Sequence, residues 1–185
     1  MQTRRTAIPD VVEVTPARHG DSRGWFSEVA NLRTLADAGI DVGAWAQDNE
    51  SFSAAQGTVR GIHFQLPPHA QGKLVRAVTG SMLDVAVDLR TSSPTFGKHV
   101  SVELDAAIGN QLWVPAGFGH GFCTLQPNCR IAYKVTGGFY KPDSEGSIRW
   151  NDPTLAIDWP VTEDQAHVSP RDSAAPLLDD TTRLF

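Results

Sequence analysis

Apolar and polar residues alternate with period two through much of the chain up to Thr136, the pattern of half-buried β-strands. The clearest run is Ser81–Arg90. It sets Leu83, Val85, Val87 and Leu89 on one face and Asp84, Ala86, Asp88 and Arg90 on the other. Similar β-rich runs cover Val11–Thr15, Trp25–Val29, Trp45–Phe52, Thr58–Leu66, Lys73–Thr79, His99–Leu104, Phe122–Leu125 and Arg130–Thr136. Glycine, proline, asparagine and aspartate punctuate them, as at Thr79-Gly80-Ser81 and Leu66-Pro67-Pro68. One helix is expected over Leu32–Ala38, where Asn31 can cap the start and Gly39 can end it in the left-handed conformation. After Asp152-Pro153 the alternation fades, and Pro160, Pro170 and Pro176 suggest a tail with short helical turns. Many short strands at this spacing predict a mainly β sandwich or barrel of the jelly-roll kind. The expected organisation is a single domain over residues 1–185, with a tail from about 153 packed on the barrel.

Composition narrows the function. At 185 residues the chain suits one domain with a substantial core. Its net charge of −5 leaves no basic footprint for nucleic acid. An anionic small molecule is not excluded, because a few arginines in a cleft set the local field. Met1–Asp10 carries Arg4 and Arg5 but no apolar run of signal-peptide length. No stretch approaches the roughly 20 apolar residues of a membrane helix. Cys123 and Cys129 flank a Pro127-Asn128 turn; reduced thiols are expected, a disulfide joining the strand ends being the alternative. The chain reads as cytoplasmic, with neither membrane nor nucleic acid as a partner.

The most informative stretches are Gly57–Gly80 and Gly109–His120. Metal-binding cupins carry a first motif of Gly, five residues, His-x-His, then Glu, six residues and Gly. Their second motif is Gly, five residues, Pro-x-Gly, two residues and His. Gly109, Pro115, Gly117 and His120 reproduce the second spacing, and Gly57 precedes His63 as the first requires. The second histidine of the first motif is Gln65, however, and the glutamate position holds Lys73. A protonated lysine has donors only and cannot stand in for a carboxylate ligand. Two of four ligands are therefore gone, and the pocket keeps a cation where a metal would sit. A fixed positive charge beside a histidine suits a reaction that makes an oxyanion next to an abstracted proton.

Nearly the whole chain resembles the dTDP-4-dehydrorhamnose 3,5-epimerase family. The resemblance rests on Asp21-Ser22-Arg23-Gly24-Trp25-Phe26-Ser27-Glu28, Gln47-Asp48-Asn49-Glu50-Ser51, Arg60-Gly61-Ile62-His63-Phe64-Gln65 and Lys73-Leu74-Val75. It continues through Asp84–Arg90, Ser93-Pro94-Thr95-Phe96-Gly97, Pro115–Phe122 and Trp150-Asn151-Asp152-Pro153. Single motifs are weak; their order and spacing together are strong. The resemblance implies a cupin-type β-barrel homodimer that inverts C3 and C5 of dTDP-4-keto-6-deoxy-D-glucose without metal or organic cofactor.

By the same resemblance His63 is the general base and Lys73 stabilises the enolate oxygen. Asp172 pairs with His63, and Tyr133 donates a proton from the opposite ring face. A second, opposed proton donor is also a chemical requirement, since one base cannot efficiently invert a centre from one side. For the nucleotide diphosphate, Arg23 and Arg60 match the family's phosphate contacts; arginine supplies bidentate donors in a rigid fork. His120 falls close to the reacting sugar. Phe26, Glu28, Gln47 and Asn49 lie in segments the family uses for nucleoside and sugar, some of them from the partner subunit. Phe139 is the candidate to stack on thymine.

Two departures and one difficulty accompany the match. The usual Tyr-Tyr or Tyr-Trp dipeptide after the catalytic tyrosine is Phe139-Tyr140, with Gly137-Gly138 adding a residue before it. Arg171 stands where lysine is expected, which keeps the charge but not the geometry. Strict alternation also sends Arg60 and His63 to opposite faces, so either Gly61 hosts a bulge or Arg60 sits at the barrel mouth. Relatives that epimerise only C3 or only C5 share the His, Lys, Tyr and Asp set. A metal-dependent cupin lacks support without its His-x-His and Glu, and a non-catalytic sugar-nucleotide-binding barrel would leave the acid–base set unexplained.

Overall fold

The computed structural model describes residues 1–185 and consists of two facing six-stranded sheets and a small ribbon. The first sheet has β1 (Gln2–Arg5) at one edge, followed by β2 (Val12–Thr15), β10 (Gln111–Val114), β7 (Lys73–Thr79), β12 (Cys129–Thr136) and β5 (Trp45–Ser53). The second runs β13 (Glu145–Ser147), β6 (Thr58–Gln65), β11 (Phe118–Thr124), β8 (Ser81–Asp88) and β9 (His99–Asp105). A short β14 (His167–Val168) pairs in parallel with the start of β6. β3 (His19–Asp21) and β4 (Gly24–Phe26) form a separate two-stranded ribbon. This is the cupin-type jelly-roll fold that the alternation and the resemblance predict.

The core lies between the sheets. Val75, Leu112, Val114 and Ile131 of the first face Met82, Ala86, Val102, Leu104 and Phe122 of the second, all buried. β8 is buried on both faces, which explains its unusually apolar run. Ala86 and Met82 point into the core, while Val85, Val87 and Leu89 join Ile62, Phe64, Ile148, Leu155 and Leu178 in a second cluster. Leu155 and Leu178 belong to the segment after Asp152, so this tail covers the outer face of the second sheet. Its end is held by Phe185, which bonds through its backbone to Leu89 and Thr91 and packs on Phe64 at 5.8 Å.

The helix α1 (Leu32–Asp37) forms as its sequence predicts. Asn31 accepts hydrogen bonds from the Arg33 and Thr34 amides, and Gly39 has a φ of +76°. Leu35, with Ile40 and Val42 beyond the helix, covers Val12, Val14, Leu74 and Trp113 on the outside of the first sheet. The Asp88-Leu89-Arg90 and Ser93-Pro94-Thr95 motifs turn out to be architectural. The fully buried Asp88 accepts from Arg90, Ser93 and Thr95, and Arg90 also pairs with Asp10 at 2.8 Å. Both cysteines are buried free thiols.

Several boundaries differ from expectation. β1, β3, β10, β13 and β14 carry no alternation that marks them, being short or buried throughout. The Trp25–Val29 run forms strand only to Phe26. The Phe122–Leu125 run begins earlier, at Phe118, because Gly119 and Gly121 leave one face without side chains.

Candidate active site

At β6 the alternation problem resolves through a bulge. His63 pairs with His120 and Arg60 with Phe122, so two residues, Gly61 and Ile62, oppose the single Gly121. Gly61 takes a φ of +123°, and a Cβ there would meet Gly121 Cα at 2.5 Å and the His120 carbonyl at 2.7 Å. The bulge brings Arg60 and His63 to the same side, where both line one cavity between the sheets.

That cavity has two lobes. One, about 420 Å³, is lined by Arg60, His120, Arg171, Asp172 and Ser51 among others. The other, about 510 Å³, is lined by Gln47, Asn49, Gln65, Gln71, Tyr140 and Glu145 among others. His63, Lys73 and Tyr133 border both, so the two lobes meet at these three residues.

His63 sits on the second sheet and Tyr133 on the first, so imidazole and phenol approach the cavity from facing walls. His63 Nε2 lies 2.7 Å from Asp172 Oδ1, and the other carboxylate oxygen accepts the Gly61 amide at 3.2 Å. Asp172 belongs to α2 (Pro170–Ser173), whose start is capped by the Ser169 hydroxyl accepting from the Asp172 amide. Burial works to raise the Asp172 pKa, but the His63 hydrogen bond, the Gly61 amide and nearby charge prevail, and it falls below the ordinary carboxylate value. A carboxylate can only accept, so Nε2 of His63 donates in this bond, and the tautomer it selects for a neutral ring is the one with the lone pair on Nδ1.

Lys73 begins β7 at the junction of the lobes. Burial pushes its ammonium down to about 8, while Asp84 and Glu145 pull the other way. Burial likewise raises the Tyr133 pKa, opposed by Arg60 and Asn49, which keeps the phenol protonated at neutral pH. His120 is buried and bonds Asp84 Oδ1 at 2.8 Å. Desolvation lowers its pKa against the pull of Asp84, favouring the neutral ring.

The other expected residues divide into two groups. Gln47 and Asn49 line the second lobe, whereas Arg60 and Arg171 share the first with His120. Arg23, Phe26 and Glu28 do not reach either lobe of their own chain. Arg23 pairs with Asp21 at 2.6 Å on the β3–β4 ribbon, Phe26 is 69% exposed, and Glu28 accepts from Asn31. Phe139 is also not on the cavity wall. It is 71% exposed, and Tyr140 takes the wall position, its hydroxyl donating to Glu145 at 2.6 Å. The glycine pair before it shifts which aromatic faces the cavity.

Sequence reasoning passed over Glu145 and Asp84. Glu145 pairs with Arg171 at 2.5 Å and so ties the Tyr140 segment to the helix that carries Asp172. Asp84 was visible as a carboxylate on the core-facing side of an apolar strand, a placement that calls for a partner. No group of His, Cys, Asp and Glu is arranged as a metal site.

Comparison with known proteins agrees with this geometry. The family model described as dTDP-4-dehydrorhamnose 3,5-epimerase matches residues 5–180. The Sinorhizobium fredii dTDP-4-dehydrorhamnose 3,5-epimerase is 48% identical over 96% of this chain and 90% of its own. The Bacillus anthracis enzyme of that name, with TDP and PPi bound, superposes with a TM-score of 0.91 at 43% identity, covering 96% of this chain and 99% of that one. The Legionella pneumophila dTDP-6-deoxy-D-glucose-3,5-epimerase, in complex with dTDP-4-keto-L-rhamnose, gives 0.90 at 42%, covering 96% and 93%. With a family model matched over nearly the whole chain, and a histidine–aspartate pair facing a tyrosine in a cupin barrel, this chain belongs to the dTDP-4-dehydrorhamnose 3,5-epimerase family of isomerases.

Proposed function

We propose that the protein inverts C3 and C5 of dTDP-4-keto-6-deoxy-D-glucose, yielding dTDP-4-keto-L-rhamnose for dTDP-L-rhamnose synthesis. The observation that carries this reading is that the Asp172-bonded His63 and Tyr133 stand on facing sheets and border, with Lys73, both lobes of one cavity. The C4 ketone acidifies the hydrogens on both neighbouring carbons. His63 Nδ1 takes one of them; the C–H pair becomes a C=C bond to C4, and the carbonyl pair moves onto oxygen. Lys73 and His120 face that oxygen, and a preorganised donor at such a position contributes about 3–4 kcal/mol. Tyr133 then delivers its proton to the carbon from the other face, and the enolate pair returns. Exchange with solvent resets imidazolium and phenolate before the second inversion.

The nucleotide fits the second lobe, where Gln47, Asn49 and Tyr140 offer amides and an aromatic face. Arg23, Phe26 and Glu28 contribute from the ribbon of a second copy, completing a homodimer with shared sites. Support comes from that ribbon's exposure: Trp25 is 60% and Phe26 69% accessible, an unusual cost for an isolated chain. The proposed place of action is the cytoplasm.

Proton NMR in deuterated water with dTDP-4-keto-6-deoxyglucose tests the reading. Deuterium entering both C3 and C5, with conversion to dTDP-L-rhamnose by a matching reductase, is the expected result. Exchange at one carbon only would make it a mono-epimerase, and no exchange would leave a binding protein.

A further inference from the structure

β8 carries two fully buried aspartates on its core-facing side, and the fold treats them differently. Asp88 spends its oxygens on Arg90, Ser93 and Thr95. Asp84 has one side-chain partner, the His120 ring at 2.8 Å from Oδ1, and its Oδ2 is buried with no hydrogen-bond partner. Its neighbours on that face of the strand are Met82 and Ala86, part of the apolar layer that holds Val75 and Phe122. A carboxylate sunk in such a layer with a free oxygen costs stability rather than adding it. Its use has to lie in its charge.

That charge acts on Lys73. Around the ammonium stand His63 from β6, Asp84 from β8, His120 from β11, Tyr133 from β12 and Glu145 from β13, with Asp172 of α2 bonded to His63. Asp172 and Glu145 are committed elsewhere: the one accepts from His63, and the other is held by Arg171 and the Tyr140 hydroxyl. Asp84 faces a histidine that desolvation keeps neutral, so its charge is not balanced there. Burial pushes the Lys73 ammonium down to about 8, and Asp84 opposes that fall ahead of Glu145.

We infer that Asp84 is a positioning residue of the reaction: its buried charge keeps Lys73 an ammonium, and its Oδ1 fixes the His120 ring. The arrangement separates two demands on Lys73. The ammonium has to stay charged in a site shielded from water, yet keep its donors free for the substrate oxygen. A direct ion pair would spend those donors. Asp84 reaches Lys73 through the field instead, since its Oδ2 has no partner and its Oδ1 bonds His120. The inference rests on the proposed role of Lys73 at the enolate oxygen.

The neutral isostere Asp84→Asn separates charge from shape, because its amide oxygen can still accept from His120 Nε2. Competitive acetylation of Lys73 with acetic anhydride across a pH series, read by mass spectrometry, follows the titration of that amine without turnover. In the variant the midpoint should fall by about one pH unit from the wild-type value near 8, as loss of a nearby opposite charge requires. The alkaline limb of kcat should move by the same amount, with dTDP affinity unchanged. An unmoved Lys73 midpoint would overturn the inference whatever the rate does. A midpoint that moves while the kcat limb stays would overturn it too, since the charge would then not bear on the reaction. So would a variant that fails to fold, or that unfolds at clearly lower urea at alkaline pH, because Asp84 would then be architectural, as Asp88 is. Labelling needs no turnover, so an unmoved midpoint in a protein that epimerises defeats this inference alone and leaves the proposed function standing.

Discussion

At the scale of single residues, the proposed mechanism divides the roles among neighbouring groups. In it His63 acts as the base through Nδ1, because Asp172 occupies Nε2. Asp172→Asn should therefore lower kcat by roughly 10–10⁴-fold with little change in substrate binding, as removal of a base's orienting carboxylate does elsewhere. Steady-state kinetics beside dTDP titration would check this; equal losses in both would point to collapse of the site instead. Lys73 sets a limit on the alkaline side. Its ammonium titrates near 8, so the rate should fall as pH rises through about 8 while the enolate loses its counter-charge. Stability should move the other way. Because the folded pKa lies below the unfolded value, the buried ammonium costs stability below about 8, and that cost is relieved as pH rises from there towards the unfolded value. Opposite pH slopes for kcat and for denaturation midpoint would be the signature, and parallel slopes would contradict it.

At the scale of elements, the β6 bulge is the decisive feature. Gly61 lets Arg60 and His63 share a wall, and its missing Cβ leaves room for the backbone of β11. Gly61→Ala would set a methyl against Gly121 Cα and the His120 carbonyl at a φ that strains any L side chain. A loss of about 1–3 kcal/mol in urea denaturation is expected, with a further fall in turnover as His63 moves. Wild-type stability in that variant would mean the bulge is not under this constraint. The sequence made the bulge visible as a conflict of alternation, and the glycine suggested its place. The capped helix at Leu32 and the long strands β5, β7, β8 and β12 were legible for the same reason: period and end signals agreed. β10 was not, because Gln111–Val114 is buried on both faces and shows no alternation. The cavity-facing aromatic was misplaced by one position, from Phe139 to Tyr140, because a glycine pair has no register to read. Asp172, by contrast, was legible only through family resemblance; its approach to His63 across 109 positions has no local mark.

On the scale of the whole molecule, the tail and the ribbon decide what counts as the working unit. We propose that residues 153–185 are part of the domain, since Leu155, Leu178 and Phe185 cover Ile62, Phe64, Val85 and Val87 beneath the strand that bears His63. Truncation after Asp152 should leave an insoluble chain; soluble, cooperative unfolding of that fragment would refute the proposal. The ribbon leads outward instead. If Arg23 completes the site of a second copy, His63→Ala and Arg23→Ala proteins should be separately defective yet rescue each other when unfolded together and refolded. Random pairing restores one intact site in half of the dimers, so about a quarter of wild-type activity should return. No recovery would place Arg23 outside a shared site.

The central claim is that His63 and Tyr133 serve opposite faces of the sugar, and isotope exchange in the Tyr133→Phe protein tests it most directly. In deuterated water this variant should still wash deuterium into the substrate beside the ketone with retained configuration. Net inversion should fall by about 10²–10⁴-fold, the usual contribution of a general acid. Loss of exchange together with inversion would contradict the account, because it would make Tyr133 necessary for removing the proton as well as for returning it.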